Sequence, residues 1–272
     1  MSQALDNLVA LLGLDTIEEN LFRGHSQDLG FPQLFGGQVL GQALSAASQT
    51  VMPERRVHSM HGYFLRPGNA SRPVVYQVDA VRDGGSFTTR RVTAIQYGKP
   101  IFFCSASFHG QEDGHHHQLA MPGLEDPDDL IASGATVQRF EGHPIEFLHL
   151  DDDTGNGCDR PPQKHLWFRL AGALPDNPAL HRYLLAYSSD FHLLTTSLVP
   201  HDINFWDPKL QIASLDHSIW FHQDVQANNW LLYAMDSPWA GGARGFARGS
   251  IFDRQGHLVA SSAQEGLTRM RQ

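Results

Sequence analysis

The chain has 272 residues, 41% hydrophobic and 18% charged, with a formal net charge of −9 and two cysteines. That balance is one of a soluble globular protein long enough to bury its core without metal or disulfide staples. It argues against nucleic acid or an anionic membrane as the main partner, although local arginines can still meet an anionic small molecule.

No apolar run reaches the roughly 18 residues a membrane helix needs. The N-terminus lacks a basic stretch followed by an apolar core, and Met270-Arg271-Gln272 is not a peroxisomal address. A cytoplasmic location is therefore expected. Cys104 sits in an apolar strand and Cys158 in a polar loop, without metal or disulfide spacing, which fits a reducing compartment.

Leu5, Leu8, Val9, Leu11 and Leu12 fall at helical spacing ahead of Gly13, predicting a short amphipathic helix. Leu21-Phe22-Arg23-Gly24 reads as an edge strand. Phe35-Gly36-Gly37 then precedes a run from Gln38 to Ala47 rich in alanine and glycine. Such small residues let another backbone approach closely, so this helix is expected to lie buried against a sheet. Strand-like runs follow at Val57 to Leu65, Pro73 to Val81, Ser86 to Gln96 and Ile101 to His109, the last two joined by a Tyr97-Gly98-Lys99-Pro100 turn. Residues 1–110 thus read as one helix-plus-meander unit.

Residues 111–163 differ. They carry His115-His116-His117, Asp126-Pro127-Asp128-Asp129, Asp151-Asp152-Asp153 and Pro161-Pro162, with few apolar runs. This is a connecting segment, with a helix expected around Asp128 to Val137. Three adjacent histidines lack the spacing of a helix-borne metal site and read as a solvated loop.

From Lys164 the plan repeats through residues 164–272. Leu166 to Arg169 is a strand, and Leu180, Tyr183, Leu184, Tyr187 and Phe191 fall at helical spacing between Pro178 and Leu194. Strand patterns return at Gln211 to His222, Trp230 to Met235, Gly242 to Phe252 and Leu258 to Thr268. Ser59 to Phe64 matches Leu215 to Trp220 at an offset of 156, Tyr76 to Asp79 matches Tyr233 to Asp236 at 157, and Arg90 matches Arg248 at 158. Blocks drifting by one residue are what loop insertions leave behind, so the chain reads as an internal duplication of an α+β unit.

Four motifs now carry a resemblance. They are Phe35-Gly36-Gly37-Gln38, His61-Gly62-Tyr63-Phe64-Leu65-Arg66-Pro67-Gly68, Ser214-Leu215-Asp216-His217-Ser218-Ile219-Trp220-Phe221-His222 and Ala263-Gln264-Glu265-Gly266. In that order they resemble the acyl-CoA thioesterase II family, from the N-terminus to about Arg269 and least in the connecting segment. The resemblance implies an α+β double hotdog, in which each curved sheet wraps one helix and the sheets join side by side. It also implies a homo-oligomer, dimer or tetramer, and a fatty acyl-CoA substrate. The family's catalytic trio maps here onto Asp190 on the second-half helix, Ser214 in place of the commoner threonine, and Gln264 in the last strand. Exchanging threonine for Ser214 keeps the hydroxyl and loses a methyl.

The chemistry of these residue types agrees with that implication. Hydrolysing a thioester needs a water deprotonated as it attacks, and an ionised carboxylate can take the proton while a hydroxyl and an amide fix the water. Taken singly, Asp190 reads equally as a helix cap or solvated acid and Ser214 more simply as a strand serine. Gln264 stands out in a strand of small and apolar residues, because a buried amide needs partners. Ser214 also has the opposite strand parity from Ala213, Leu215, Ile219 and Phe221. Either its face lines the pocket or a bulge re-aims it.

The offsets place His58 opposite Ser214 and Ala106 opposite Gln264, with Gln38 as the rough counterpart of Asp190. The first half is accordingly expected to be silent, with one site per chain. No G-x-S-x-G elbow, dinucleotide fingerprint or metal spacing is present, so no cofactor is expected. A hotdog enoyl-CoA hydratase or dehydratase and a non-catalytic acyl-CoA-binding module remain the alternatives. Arg66, Arg90, Arg91, Arg244 and Arg248 are available for the coenzyme's phosphates, and each reads equally as a sheet-surface charge.

Overall fold

The computed structural model describes residues 3–30, 33–150 and 160–271. Cys158 and Asp151-Asp152-Asp153 lie outside the described residues. The N-terminal helix α1 (Gln3–Leu12) buries Leu5, Leu8, Leu11 and Leu12, the stripe its spacing predicts. After it come β1 (Asp15–Glu18) and β2 (Leu21–Gly24). The second of these was expected to be an edge, but β1 pairs outside it. Four exposed residues without alternation hid β1 from pattern reading.

The glycine-rich helix α2 (Gly36–Ser48) is buried along its whole length from Gly37 to Ala47. Strands β3 (Arg56–Phe64), β4 (Val74–Asp83), β5 (Phe87–Gln96) and β6 (Lys99–His109) follow; β4, β5 and β6 form a meander, but β3, expected to lead it, pairs with β6 instead of β4. The connecting segment holds α3 (Pro127–Ala132), shorter than expected, and two unexpected strands, β7 (Gln138–Arg139) and β8 (Ile145–His149). His115, His116 and His117 are exposed, and no cluster suited to a metal occurs among the described residues.

The second half contains β9 (Gln163–Leu170), α4 (Pro178–Ser188), a 3-10 helix (Leu194–His201), β10 (Leu210–Ser214), β11 (Asp216–Phe221), β12 (Leu231–Gly241), β13 (Arg244–Phe252) and β14 (Leu258–Met270). Among the described residues all fourteen strands form one sheet, ordered β1-β2-β4-β5-β6-β3-β11-β14-β13-β12-β9-β8-β7, with β10 also on β14. The antiparallel β3–β11 pair joins the halves, and His61 lies directly opposite Ser218 there. About that pair the order reads alike in both directions: β3, β6, β5, β4 on one side and β11, β14, β13, β12 on the other.

The two helices pack against each other inside the curved sheet. A Cβ on Gly37 would stand 2.3 Å from the Tyr187 carbonyl oxygen, and one on Gly41 3.1 Å from that of Tyr183. The missing side chains of α2 therefore serve contact with α4 as well as with the sheet. Both glycines sit four residues apart on one helix face, as do Tyr183 and Tyr187 on the other.

Candidate active site

Asp190 is placed by the end of α4. The helical spacing of Tyr187 and Phe191 suggests a longer helix, but α4 ends at Ser188 and Asp190 stands two residues beyond, in the turn before His192 takes φ +64°. The carboxyl group is thereby carried off the helix and toward the start of α2. Phe35, the cap residue of α2, makes no side-chain capping bond, and the Gly37 N–H instead donates to the Asp190 carboxylate. A Cβ on Gly36 would come within 2.7 Å of Asp190 Oδ2. This pair of glycines allows the carboxylate to reach the positive end of the helix.

Ser214 is placed by a bulge. It pairs with Gly266, whereas Ser218 pairs with Ala263, so four steps along β10 and β11 match three along β14. The extra residue reverses the alternation between Ala213 and His217. Ser214 consequently shares the inner face with His217, Ile219 and Phe221, opposite Gln264 and Ser262 of β14. Of the two possibilities raised by its parity, the bulge is the one observed.

The three groups converge. The Gln264 amide, fully buried, donates through Nε2 to Asp190 Oδ1 at 2.7 Å and to Ser214 Oγ at 2.9 Å. Its Oε1 makes no hydrogen bond within the protein. The Asp190 side chain is only 7% exposed. Burial pushes its pKa up to about 6, against the lowering pull of the Gln264 and Gly37 donors. A carboxylate with that proton affinity is ionised at neutral pH yet takes a proton readily.

Comparison with known proteins places the chain as a whole. A family model described as "Acyl-CoA thioesterase" matches residues 150–267, and one described as "Acyl-CoA thioesterase N-terminal domain" matches residues 26–109. The chain is 40% identical to acyl-CoA thioesterase 2 of Haemophilus influenzae, covering 99% of both sequences. It superposes on the crystal structure of the acyl-CoA thioesterase II TesB2 from Mycobacterium marinum with a TM-score of 0.85 and 43% identity, covering 97% of this chain and 98% of that one. The chain belongs to the acyl-CoA thioesterase family. A conserved protein of unknown function with a hot dog fold from Alicyclobacillus acidocaldarius shares the fold at TM-score 0.80, with 18% identity over 98% of this chain and 99% of that one.

Within this acyl-CoA thioesterase the strand ladders correct two of the sequence correspondences. Val57 pairs with Phe108 and Ser59 with Ser107, so His58 is itself the bulged residue of β3. Its ring bonds Ser107 Oγ and meets Phe87 on the outer face. The inward counterpart of Ser214 is therefore Val57. Gln38, in the first turn of α2, holds the preceding loop through Gln27 N–H and His25 O. The residue two beyond α2, as Asp190 is two beyond α4, is Thr50.

Asp216 and His217 alternate faces in β11, and His217 shares the parity of buried Ile219 and Phe221, so it points inward, where its Nδ1 lies 3.9 Å from Asp190 Oδ1. Asp216 instead accepts from the Glu265 N–H. The arginines considered for phosphate binding are engaged within the protein. Arg90 is buried and pairs with Asp83, Arg248 pairs with Asp236, Arg244 lies near Glu265, Arg91 covers Phe103, and Arg66 donates to the Pro100 carbonyl.

Proposed function

We propose that the protein hydrolyses medium- to long-chain fatty acyl-CoA by general-base catalysis. A water held by Ser214 and Gln264 loses a proton to Asp190 as its oxygen attacks the thioester carbonyl carbon. The tetrahedral intermediate collapses with cleavage of the C–S bond, and the proton on Asp190 passes to the departing thiolate, giving a free fatty acid and coenzyme A. Positive potential at the start of α2 favours both the ionised base and the developing oxyanion. The observation that supports this reading is the single, fully buried Gln264 amide bridging Asp190 and Ser214. A base so placed is worth about 10²–10⁴-fold in rate.

The acyl chain would run between helix and sheet, each buried methylene contributing about 0.8 kcal/mol, and the length of that channel would set chain preference. The first repeat would be silent, the assembly a homo-oligomer and the location cytoplasmic. No helix among the described residues is long and apolar enough to cross a membrane.

The pairing of His217 with Asp190 gives the hydratase reading one specific observation in its favour. Yet His217 is fully buried and its Nε2 is bonded to Ser189 Oγ, which leaves no ring nitrogen turned toward a substrate. Incubation with palmitoyl-CoA and a thiol reagent separates the readings. Release of free coenzyme A marks a hydrolase, loss of enoyl absorbance from crotonyl-CoA a hydratase, and neither a binding module. Asp190→Asn is expected to lower turnover by about two orders of magnitude or more with the fold intact, and full activity in that variant would discard the mechanism.

A further inference from the structure

The proposed chemistry leaves one buried titratable side chain beside the site unused. His217 of β11 has no exposed surface, and neither has Ser189 at the end of α4. The two are joined by a 2.9 Å contact between His217 Nε2 and Ser189 Oγ. Ser189 has a single hydroxyl proton, and Oγ donates it to the Ala186 carbonyl at 2.9 Å. The His217 contact must then be donated by the ring, as Nε2–H, with Ser189 accepting. Burial holds the imidazole neutral, with its pKa lowered to about 3. The other nitrogen, Nδ1, is therefore a bare lone pair. It has no hydrogen-bond partner, and it faces Asp190 Oδ1 across 3.9 Å.

A lone pair turned toward a carboxylate repels the anion and accepts a hydrogen bond from the acid. We propose that His217 is a positioning residue for Asp190, its unprotonated Nδ1 strengthening the carboxylate as a base and receiving the O–H of the carboxylic acid that proton abstraction creates. The proton is not passed to His217, and a sub-ångström closure of the 3.9 Å gap suffices for the hydrogen bond. The ring is fixed by its surroundings. Ser189 is clamped from β12 by Tyr233, whose hydroxyl donates to the Ser189 carbonyl at 2.9 Å and contacts Ser262 Oγ at 2.7 Å.

The other titratable groups near the carboxyl are Tyr187 of α4 and Tyr233 of β12, both kept as phenols by burial. From α2 the carboxyl meets the Gly37 N–H, which does not titrate. Among the described residues no lysine or arginine is ion-paired with Asp190. His217 is thus the neighbour whose tautomer can move its proton affinity in either direction.

The inference rests on Asp190 being the base, and two measurements on the full-length protein test it separately from that reading. Long-range proton–nitrogen NMR of the histidine rings is expected to show His217 as the Nε2–H tautomer, and a protonated Nδ1 would overturn the proposal whatever the activity. The pH profile of palmitoyl-CoA hydrolysis gives the second measurement. His217→Gln keeps an amide donor for Ser189 and removes the lone pair. Its acidic limb should move down by about one pH unit and kcat fall by about tenfold, with KM unchanged.

Ser189→Ala frees the ring to place its proton on Nδ1, pointing at Asp190, and should shift the limb the same way. A folded His217→Gln with the wild-type limb overturns the proposal. Should that variant fail to fold, an unmoved limb in Ser189→Ala overturns it instead. If Asp190→Asn keeps the wild-type limb, the assignment of the base fails, and the NMR result still decides the tautomer.

Discussion

Two residues beyond α2 stands Thr50, and two residues beyond α4 stands Asp190. Around Asp190 the framework supplies Ser214 and Gln264; at the matching positions of the first repeat the ladders place Val57 and Ala106, both buried and apolar. Thr50 is not idle. Its hydroxyl and carbonyl accept from Arg90 Nε and Nη2 at 2.9 and 3.0 Å, and the same guanidinium reaches Asp83 and the carbonyls of Arg82 and Thr89. A buried cation with every donor engaged closes the turn that a buried acid leaves available for chemistry in the other copy. Arg248, which matches Arg90 in sequence, is exposed and pairs with Asp236.

The helix starts differ in the opposite sense. At α4, the Asn177 side chain caps the Ala179 and Leu180 N–H groups. At α2, Phe35 offers no cap and the Gly37 N–H goes to Asp190. The first repeat thus supplies the helix end that holds the acid of the second. On the proposed mechanism the work is divided: one copy carries the reacting groups and the other the electrostatic support.

The strongest way to break this comparison is at Gly37. A methyl there would sit 2.3 Å from a backbone oxygen that cannot swing aside, so the helices must part. Gly37→Ala should lower stability by about 3 kcal/mol or more and abolish turnover, read by urea unfolding and coenzyme A release. Wild-type stability would mean that α2 and α4 do not meet as closely as described.

Asp190 tests the same division through pH. Its folded pKa of about 6 lies above the ordinary 3.8. The native state therefore holds the proton more tightly than the unfolded chain. This contribution is fully present below pH 3.8 and lost as pH rises through about 6. At pH 8 the ionised, buried carboxylate costs about 3 kcal/mol at 1.36 kcal/mol per pKa unit. Asp190→Asn should then be more stable than wild type by up to about that amount at pH 8, with the difference shrinking as pH falls through about 6 toward 3.8. Activity should show the converse, kcat/KM rising through about pH 6 as the base ionises. Unfolding curves of the two proteins that keep a constant separation across pH would contradict the raised proton affinity.

Much of this was legible in the chain. The duplication showed because the alternating runs from Val57 to His109 and from Gln211 to Thr268 are long and share a turn spacing, and the three site residues lay on motifs with a clear family resemblance. What escaped was where the backbone departs from regularity. The end of α4 was hidden because Tyr187 and Phe191 keep helical spacing past the point where the chain turns away. A bulge adds one residue without any side-chain signal. That slip turned Ser214 inward and moved its counterpart from His58 to Val57. The strands β7 and β8 were missed because two and five residues are too few to show a period.

The smallest expected effect lies at the other helix start. Asn177 satisfies two N–H groups at the beginning of α4 and touches nothing in the Asp190 cluster. Asn177→Ala removes an ordinary cap and should cost about 1 kcal/mol, with kcat and KM at wild-type values. Set beside Gly37→Ala, it separates a helix start that only stabilises from one that also holds a reacting group. If Asn177→Ala lowered kcat while leaving most of the stability in place, the two helix ends would be coupled through the α2–α4 contact, and the division between a supporting and a reacting repeat would have to be redrawn around the helix pair.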